Sequence, residues 1–539
     1  MKEKNIYLLK NLILFFLASF LPKTISFFLV PLYTNCLSTT EYGTADLLIN
    51  TVSLCVPILT LVVQDAVMKF TLDNQHDKKI VFTVGIKITC IGFLILSIGC
   101  TLLKTIGILK LDYFYILFLV SNYLVSALVE MISYFCRGIN QIVILTVSSV
   151  AQTMTTIVSN LLFLLVLKSG LKGYLFSILL GYCVNILIVF FGAGLHKYID
   201  FRHRDKKLEK EMFMFSAPLI ASSLSWWINN ASDKYILTYM CGLSVVGIYS
   251  VAYKIPTILS VLGTVISKAF TISAIKEIDT DDTDGFLGKS YSLISYVMTV
   301  GCAVLILLNP FLSKLLFAKD FYIAWKFVPP LLIAFLMSAI SGTCQSILTA
   351  INKTTIISFT AILGAFVNVI LNIILIPLYE GYGAAVATMF SFFVCWIGRY
   401  LELKKYVKFK NKISKEIIAY SLVSIEMILA YEENKYIWME SLIVVLIIVL
   451  YHKEEIYFTS GGSEGNNLIL KGLLKPGHHF ITTAFEHHSI ISTCKQLEEK
   501  GVKVTYLDVD SEGRISLEDL EEAINKDTVL VSIMHVNNE

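Results

Sequence analysis

Long apolar runs, set apart by short charged segments, constrain this chain more than any other feature. A helix needs roughly 20 apolar residues to cross a bilayer, because its backbone polar groups must be satisfied within the segment itself. Runs of this kind begin near residues 9, 43, 80, 112, 140, 172, 211, 243, 290, 324, 354, 382, 416 and 436. The last two are short and carry Glu426 and Glu440, so twelve helices are the alternative to about fourteen. Of 539 residues 56% are apolar and only 16% charged, too few charges to cover a soluble domain of this size. Mean hydropathy is +0.71. The first run, Leu12 to Leu32, is too long for a signal-peptide core and lacks a small-residue cleavage site. Eleven cysteines lie scattered, as at Cys90, Cys100 and Cys302, with neither a disulfide framework nor paired metal spacing. The net charge of +3 says little, and no nucleic-acid partner is expected.

Cytoplasmic loops should be rich in Lys and Arg. The segment 196–211 reads HKYIDFRHRDKKLEKE, a later loop carries Lys404, Lys405, Lys408, Lys410, Lys412 and Lys415, and Lys78 and Lys79 follow the second run. Alternating helices put all three on one side, with both ends of the bundle in the cytoplasm. TNCLSTTEYGTADLL (34–48) and TYMCGLSVVGIYSVA (238–252) read as an internal repeat, with Gly43 and Gly247 at matching places, and GLKGYLFSI (170–178) echoes GYGAAVATM (381–389). The expected organisation is a six-helix bundle at 1–197, a basic loop at 198–210, and a second six-helix bundle at 211–403. A basic loop with two extra helices follows at 404–455, then a separate segment at 456–539. Repeated transporter halves commonly enclose a site near the midplane and rock about it.

Ionisable groups within a membrane cost about 2.5 kcal/mol or more and usually face a cavity or a partner. Lys23, beside Pro22 in FLPKTISFF, lies 13 residues from Lys10. That is about 20 Å along a helix, too deep for snorkelling. It reads as facing the central cavity, against the alternative of a structural pair with a carboxylate. In SSLSWWINNASDKYIL (222–237), Trp226, Asn230 and Asp233 share a face, flanked by Asn229 and Lys234. The stripe suits sugar hydroxyls, or else is polar glue between helices. Lys254, near Pro256, either pairs with Asp233 or faces the cavity. Asp65 and Glu130 are the acids of the first half; each takes up a proton or sodium ion, or pairs with a lysine. Arg137 and Arg399 lie near helix ends and read as interfacial. A pyrophosphate cannot enter hydrocarbon unaided, so its carrier needs a polar cavity with cations. Lys23 and Lys254, one per half, suit that task, whereas a carrier of cationic drugs wants acidic walls.

Four segments carry a family resemblance: FFLVPLYTNCLSTTEYGTADLL, NASDKYIL, VGIYSVAYKIPTIL and NVILNIILIPLYEGYGAAVAT (368–388). On these, residues 5–450 resemble the polysaccharide repeat-unit flippases of the multidrug/oligosaccharidyl-lipid/polysaccharide exporter superfamily. The resemblance implies a cytoplasmic-membrane protein whose two bundles open alternately. Its implied cargo is an undecaprenyl-pyrophosphate-linked oligosaccharide destined for lipopolysaccharide, O-antigen or capsule. Membrane lipids, H+ or Na+, and polymerase or glycosyltransferases are the implied partners, and transport itself needs no cofactor. A multidrug/cation antiporter of the same fold is the alternative; a lysine in the first helix, with no carboxylate there, counts against it.

From 456 the sequence alternates expected strands (456–459, 479–482, 502–507, 528–534) with helices (467–471, 489–500, 517–525), an α/β pattern. IYFTSGGSEGNNLILKG, ITTAFEHHSIISTCKQLEEKG and DTVLVSIMHVNNE resemble the cysteine desulfurases, pyridoxal-phosphate enzymes of aminotransferase class V. The resemblance implies that Gly462 and Ser463 hold the cofactor phosphate at a helix N-terminus. It implies too that His487 stacks on the cofactor ring and that Asn537 lies near the ring oxygen. His478, His479 and His488 read as exposed loop residues. The family's pyridine-pairing aspartate, Schiff-base lysine and nucleophilic cysteine have no counterpart before Glu539, and Cys494 is on an early helix. The segment is therefore expected to be an inactive slice with only vestigial pyridoxal-phosphate contacts, and the chain a transporter and not an enzyme. A membrane-tethered desulfurase-like protein and a scaffold for a partner desulfurase are the alternatives.

Overall fold

The computed structural model describes residues 27–73, 76–201, 203, 205–276, 278–408, 413–432, 435–452 and 461–534. Lys23, Pro22, the strand expected at 456–459, and Asn537 lie outside them. The chain divides into two compact units, Met1–Tyr451 and His452–Glu539. Among the described residues of the first, eight helices are long and apolar enough to cross a membrane, or nine with one bent pair taken as a single span.

The first half runs α1 (Val30–Cys36), α2 (Thr39–Leu59) and α3 (Val63–Leu72), then α4 (Lys78–Thr105) and α5 (Tyr113–Gly138). It ends with α6 (Ile142–Asn160), continued as a π-helix over Leu161–Val166, and α7 (Gly170–Gly192). A capping box starts α2: the Glu41 N–H donates to Ser38 Oγ at 3.2 Å, and the Ser38 N–H to the Glu41 carboxylate at 2.8 Å. The span expected from near residue 43 is α2. Leu61 and Val62 both take φ 54°, a region costly for a β-branched residue, and this separates α2 from α3.

The second half opens with α8 (Lys206–Cys241), whose first N–H groups at Lys207 and Leu208 are capped by Asp205. There follow α9 (Leu243–Ala252), α10 (Lys254–Lys276), α11 (Phe286–Leu316), α12 (Val328–Ala350) and α13 (Thr354–Leu403). A bend of 43° divides α9 from α10, so Lys254 sits at a break and not inside a continuous eighth helix. Glu380 (φ 48°, ψ −129°) splits α13 into two arms. These fold back on one another, with Ser391 Oγ donating to the Gly364 carbonyl at 2.9 Å. The helices α14 (Ile413–Leu429) and α15 (Ile437–His452) lie against α11. There Ser292 Oγ donates to Glu416 at 2.6 Å, and Ser295 meets Tyr420 at 2.7 Å and Tyr451 at 3.0 Å.

Loops gather at two ends. At one, Lys319 Nζ donates to the Asn35 carbonyl at 2.6 Å and the Tyr42 and Phe321 rings meet edge-on. At the other, the Asp200 N–H donates to Thr83 Oγ at 2.9 Å, Lys87 pairs with Glu209 at 3.0 Å, and the Lys408 N–H reaches the Thr280 carbonyl at 2.9 Å.

The second unit holds α16 (Gly462–Leu473), β1 (His479–Thr483), α17 (His488–Glu498), β2 (Lys503–Leu507), α18 (Leu517–Ala523) and β3 (Thr528–Val531). Its strands are parallel in the order β2-β1-β3. Leu470, Phe480, Ile490, Cys494 and Leu497 form its core. His479 is buried in β1, with Nδ1 near Thr528 Oγ and Nε2 near Thr505 Oγ, both at 2.8 Å. The exposed-loop expectation for this histidine fails because central strands of parallel sheets are covered on both faces.

The two halves meet where the repeat matches. A Cβ on Gly43 would run into the Leu243 carbonyl oxygen, and one on Gly247 into that of Thr39. Thr39 and Leu243 occupy the same repeat positions, 204 residues apart like the glycines (243 − 39 and 247 − 43). Such reciprocal contact is the mark of a two-fold crossing. Thr39 Oγ and Ser244 Oγ lie 2.8 Å apart beside it. Cysteines at Thr39 and Ser244, in a chain stripped of its own cysteines, are expected to crosslink readily. Adding Gly43→Val should abolish the crosslink, because overpacking of about 1–3 kcal/mol falls on backbone that cannot yield; an undiminished crosslink would refute the crossing.

Candidate functional site

Below the crossing, α2 and α8 carry an ion pair between the halves. Lys234 Nζ is 2.8 Å from Asp46 Oδ2, which also accepts from Ser250 Oγ at 2.8 Å and Asn50 Nδ2 at 2.9 Å. Ser250 is the repeat counterpart of Asp46 (46 + 204), so this bond too lies close to the two-fold. One turn on, Thr51 Oγ and Tyr235 Oη are 2.7 Å apart, and the Trp227 indole N–H donates to the Asn50 carbonyl at 3.1 Å. Lys254, half-buried at the start of α10, feels Asp46 as its opposite charge.

Lys254 does not pair with Asp233. That carboxylate is 1% exposed and faces the interior of the second half. Its Oδ2 accepts from Tyr249 at 2.5 Å and Tyr253 at 3.0 Å, with Thr388 at 3.5 Å. Asn368 Nδ2 reaches Thr388 at 3.4 Å, and Asn372 Nδ2 reaches Asn368 at 2.9 Å. Asp233 thus belongs to a closed polar network and not to an open cavity wall. Trp226 and Asn230 are on the same helix, with side chains outside the described set; Trp227 is the tryptophan seen against the first half.

In the first half, Gln64 Nε2 donates to Glu130 at 3.4 Å; Glu130 lies in the field of Asp65 and, less strongly, of Arg137, and Asp65 in that of Arg137. Arg137 is exposed over the Tyr134 ring, as an interfacial residue should be. Arg399 is not interfacial: only 9% exposed, it donates to Thr360 Oγ at 3.1 Å, Ser341 Oγ at 3.1 Å and Gln345 Oε1 at 3.0 Å. Neutral acceptors from two helices satisfy it, which makes burial tolerable. A cavity of about 510 Å³ lies among α2, α5, α7 and α8, and another of about 320 Å³ lies between α10 and α12.

Sequence reasoning missed Asp46, Asn368 and Thr388, although all three stand inside segments that carry the repeat or the resemblance. Pairing each residue with its repeat counterpart would have found Asp46 opposite Ser250.

In the second unit, Gly462 begins α16, and Asn466 Nδ2 ties it to Ser489 Oγ at 2.9 Å. His487 caps α17, its Nδ1 accepting from the Ser489 N–H at 3.1 Å. Cys494 is fully buried, and burial pushes its thiol up to about 11. The residues present fit the phosphate end of a pyridoxal-phosphate site, through the N–H groups and Ser463 at the start of α16. His487 is occupied as a cap.

Residues 8–272 match the family described as polysaccharide biosynthesis protein. The membrane unit is similar to this family over that stretch. Among solved structures, the fold is similar to that of the lipid II flippase MurJ in an inward closed conformation. The TM-score is 0.62 at 15% identity, over 83% of this chain and 100% of that one. An inward-facing multidrug resistance MATE transporter of the MOP superfamily gives a TM-score of 0.57 at 12% identity, over 72% and 96%. At these identities the likeness is one of fold. Residues 444–539 match aminotransferase class V. Cysteine desulfurases IscS of Histophilus somni and Proteus mirabilis are each 55% identical over 80 residues, 14% of this chain. The chain spans 20% of the length of these curated relatives.

Removing either partner of the Asp46–Lys234 pair leaves a part-buried charge alone. Asp46→Ala or Lys234→Ala should therefore weaken the closed end and slow the Thr39–Ser244 cysteine crosslink. The double exchange Asp46→Lys with Lys234→Asp should recover part of it, a coupling of about 0.5–3 kcal/mol in a double-mutant cycle. Additive losses would show that the pair does not latch the halves.

Proposed function

We propose that the membrane unit is a flippase that moves an undecaprenyl-pyrophosphate-linked oligosaccharide across the cytoplasmic membrane by alternating access. The product serves a surface polysaccharide: lipopolysaccharide O-antigen or capsule. One observation carries the reading. Lys234 pairs with Asp46 beneath the crossing, and Lys254 lies in the field of the same carboxylate, which places two cations near the junction of the halves. Lys23 is a third cation that the sequence places in an apolar run. A pyrophosphate gains from such a wall through charge-assisted hydrogen bonds, while a cationic drug is repelled. The basic loops point to the cytoplasm. The closed crossing then faces outward, and the space between the halves opens inward. Coupling to a proton or sodium ion falls to the intramembrane acids Asp65, Glu130 and Asp233. Polymerase and glycosyltransferases would act on the cargo before and after it crosses.

In a strain lacking the gene, the wild-type chain should restore surface polysaccharide. Lys23→Ala, Lys254→Ala and Asp233→Ala should each lower it about tenfold or more, with normal protein in the membrane, as loss of a charge-assisted contact predicts. Wild-type export by all three would sink the anion-carrier reading.

For the second unit we infer no cysteine desulfurase turnover by this chain and, at most, vestigial contacts to pyridoxal phosphate. When bound, that cofactor supplies the electron sink for the family's chemistry. Here the unit's one cysteine is packed in the core, with on the order of one thiol in a thousand ionised at pH 8. Purified full chain should release no alanine from cysteine, and Cys494 should resist iodoacetamide until denatured. Deleting residues 456–539 should leave export intact. Turnover with rapid native labelling of Cys494 would overturn this.

A further inference from the structure

The helices α14 and α15, which follow the two repeated halves, carry two acids with no role in the reading above, Glu426 and Glu440. On α14, Ala419, Val423 and Glu426 recur at spacings of four and three and are all buried, so Glu426 stands on the stripe that packs inward. On α15, Glu440 opens the same kind of stripe, with Ile443, Val444 and Ile447 buried after it. Glu426 lies three residues before the end of α14 and Glu440 three residues after the start of α15, so a short loop brings them to one level. Glu426 is 0% exposed, and neither of its carboxylate oxygens has a hydrogen-bond partner among the described residues. Glu416, earlier on the same helix, differs, because Ser292 Oγ donates to it. Glu440 is 2% exposed, and Glu426 lies in its field.

An anion sealed among apolar side chains, with neither a donor nor a cation, is not tolerated, and two carboxyls in one such place cannot both ionise. We propose that Glu426 and Glu440 form a buried proton-binding site between α14 and α15, with Glu426 as the group that carries the proton. The other ionisable groups nearby are accounted for. Cys302 of α11 faces Glu426, whereas Cys344 of α12 lies in the field of Arg399. Past the end of α14, Lys326 stands over the Tyr431 ring at 5.5 Å and Lys435 pairs with Glu432 at 3.6 Å. A metal ion is the other occupant that could remove the charge. A hard cation takes about six oxygen ligands, and two carboxyls supply fewer. Among the described residues no group of three or more acidic, cysteine or histidine side chains is placed to hold one. The proposal does not depend on the cargo, and its acids lie outside both repeated halves. Loss of the proton would set like charges in the seam where α14 and α15 lie against α11, so the site ties the docking of these two helices to proton concentration.

The test uses the full chain in phosphatidylcholine bilayers, with infrared spectra taken from neutral to alkaline pH and with either sodium or choline as the only small cation. The difference between wild type and Glu426→Gln at neutral pH should show the C=O band of an un-ionised carboxyl. That band should give way to carboxylate bands as pH rises, and replacing choline with sodium should leave it unchanged. Glu440→Gln should bring the change about one pH unit lower, because removing a like charge makes ionisation of Glu426 easier. A carboxyl that is merely buried would not respond to Glu440. Both substitutions keep the shape of a neutral carboxyl. If Glu426→Gln does not accumulate, Glu426→Asp takes its place, with its band displaced from that of wild type. Carboxylate bands alone at neutral pH would overturn the site. A band that sodium abolishes would replace the proton with a metal ion, and a pH response unmoved by Glu440→Gln would refute the pair.

Discussion

Gly43 against Gly247 is the contact on which the membrane unit depends. Two helices approach backbone to backbone only where neither carries a Cβ, and here each glycine lies against the carbonyl four residues before the other. The approach brings α2 and α9 close enough for Thr39 to meet Ser244 and Asp46 to meet Ser250. Pseudo-symmetry follows from the same fact. A residue near a two-fold axis must touch its own counterpart, so a repeated glycine is both a packing requirement and a sign of where the axis runs.

The electrostatics follow from that geometry. Closing the halves at one end brings Asp46 of the first against Lys234 of the second, with Lys254 in the field of the same carboxylate. Such a pair draws little from simple attraction, since removing two charges from water offsets much of the gain. Its consequence is directional. Parting the halves would leave Lys234 and Asp46 to find new partners, and under the proposed flippase function a diphosphate would supply one for the lysine. In the function proposed above, closure and cargo would compete for Lys234. A ligand shifts a two-state equilibrium only by its differential affinity for the two states, and this competition provides one.

The second unit shows why a family match over a short stretch has to be weighed against packing. Its parallel sheet has β1 buried along its whole length, while β3 alternates, with Val529 and Val531 exposed. Parallel sheets are normally covered on both faces. Here the core is drawn chiefly from α16, α17 and β1, and Cys494 contributes to it as a small apolar side chain. High sequence identity in this segment therefore speaks for the ancestry of the strands and helices more than for a working centre.

Much of this fold was legible because hydrophobic length and basic loops are one-dimensional signals. The repeat was legible from two glycines, but not that they touch, since equal placement in a sequence does not state where an axis falls. Charged partners were harder. Lys254 lay within reach of Asp233 by spacing alone. With the bend between α9 and α10 it lies in the field of Asp46 instead, while Tyr249 and Tyr253 occupy Asp233. The arginines divide in the same way. Both stand near helix ends in the sequence, yet Arg399 is enclosed by Ser341, Gln345 and Thr360 of neighbouring helices, which no local pattern could reveal. The adjacent tryptophans give the sharpest case. Neighbouring residues on a helix point about 100° apart, so the stripe through Trp226, Asn230 and Asp233 necessarily excluded Trp227. Yet α8 serves two halves along its length, meeting Asn50 and Ser53 of one through Trp227 and the tyrosines of the other through Asp233. A helix with two partners has two functional faces, and a single-stripe reading finds only one of them.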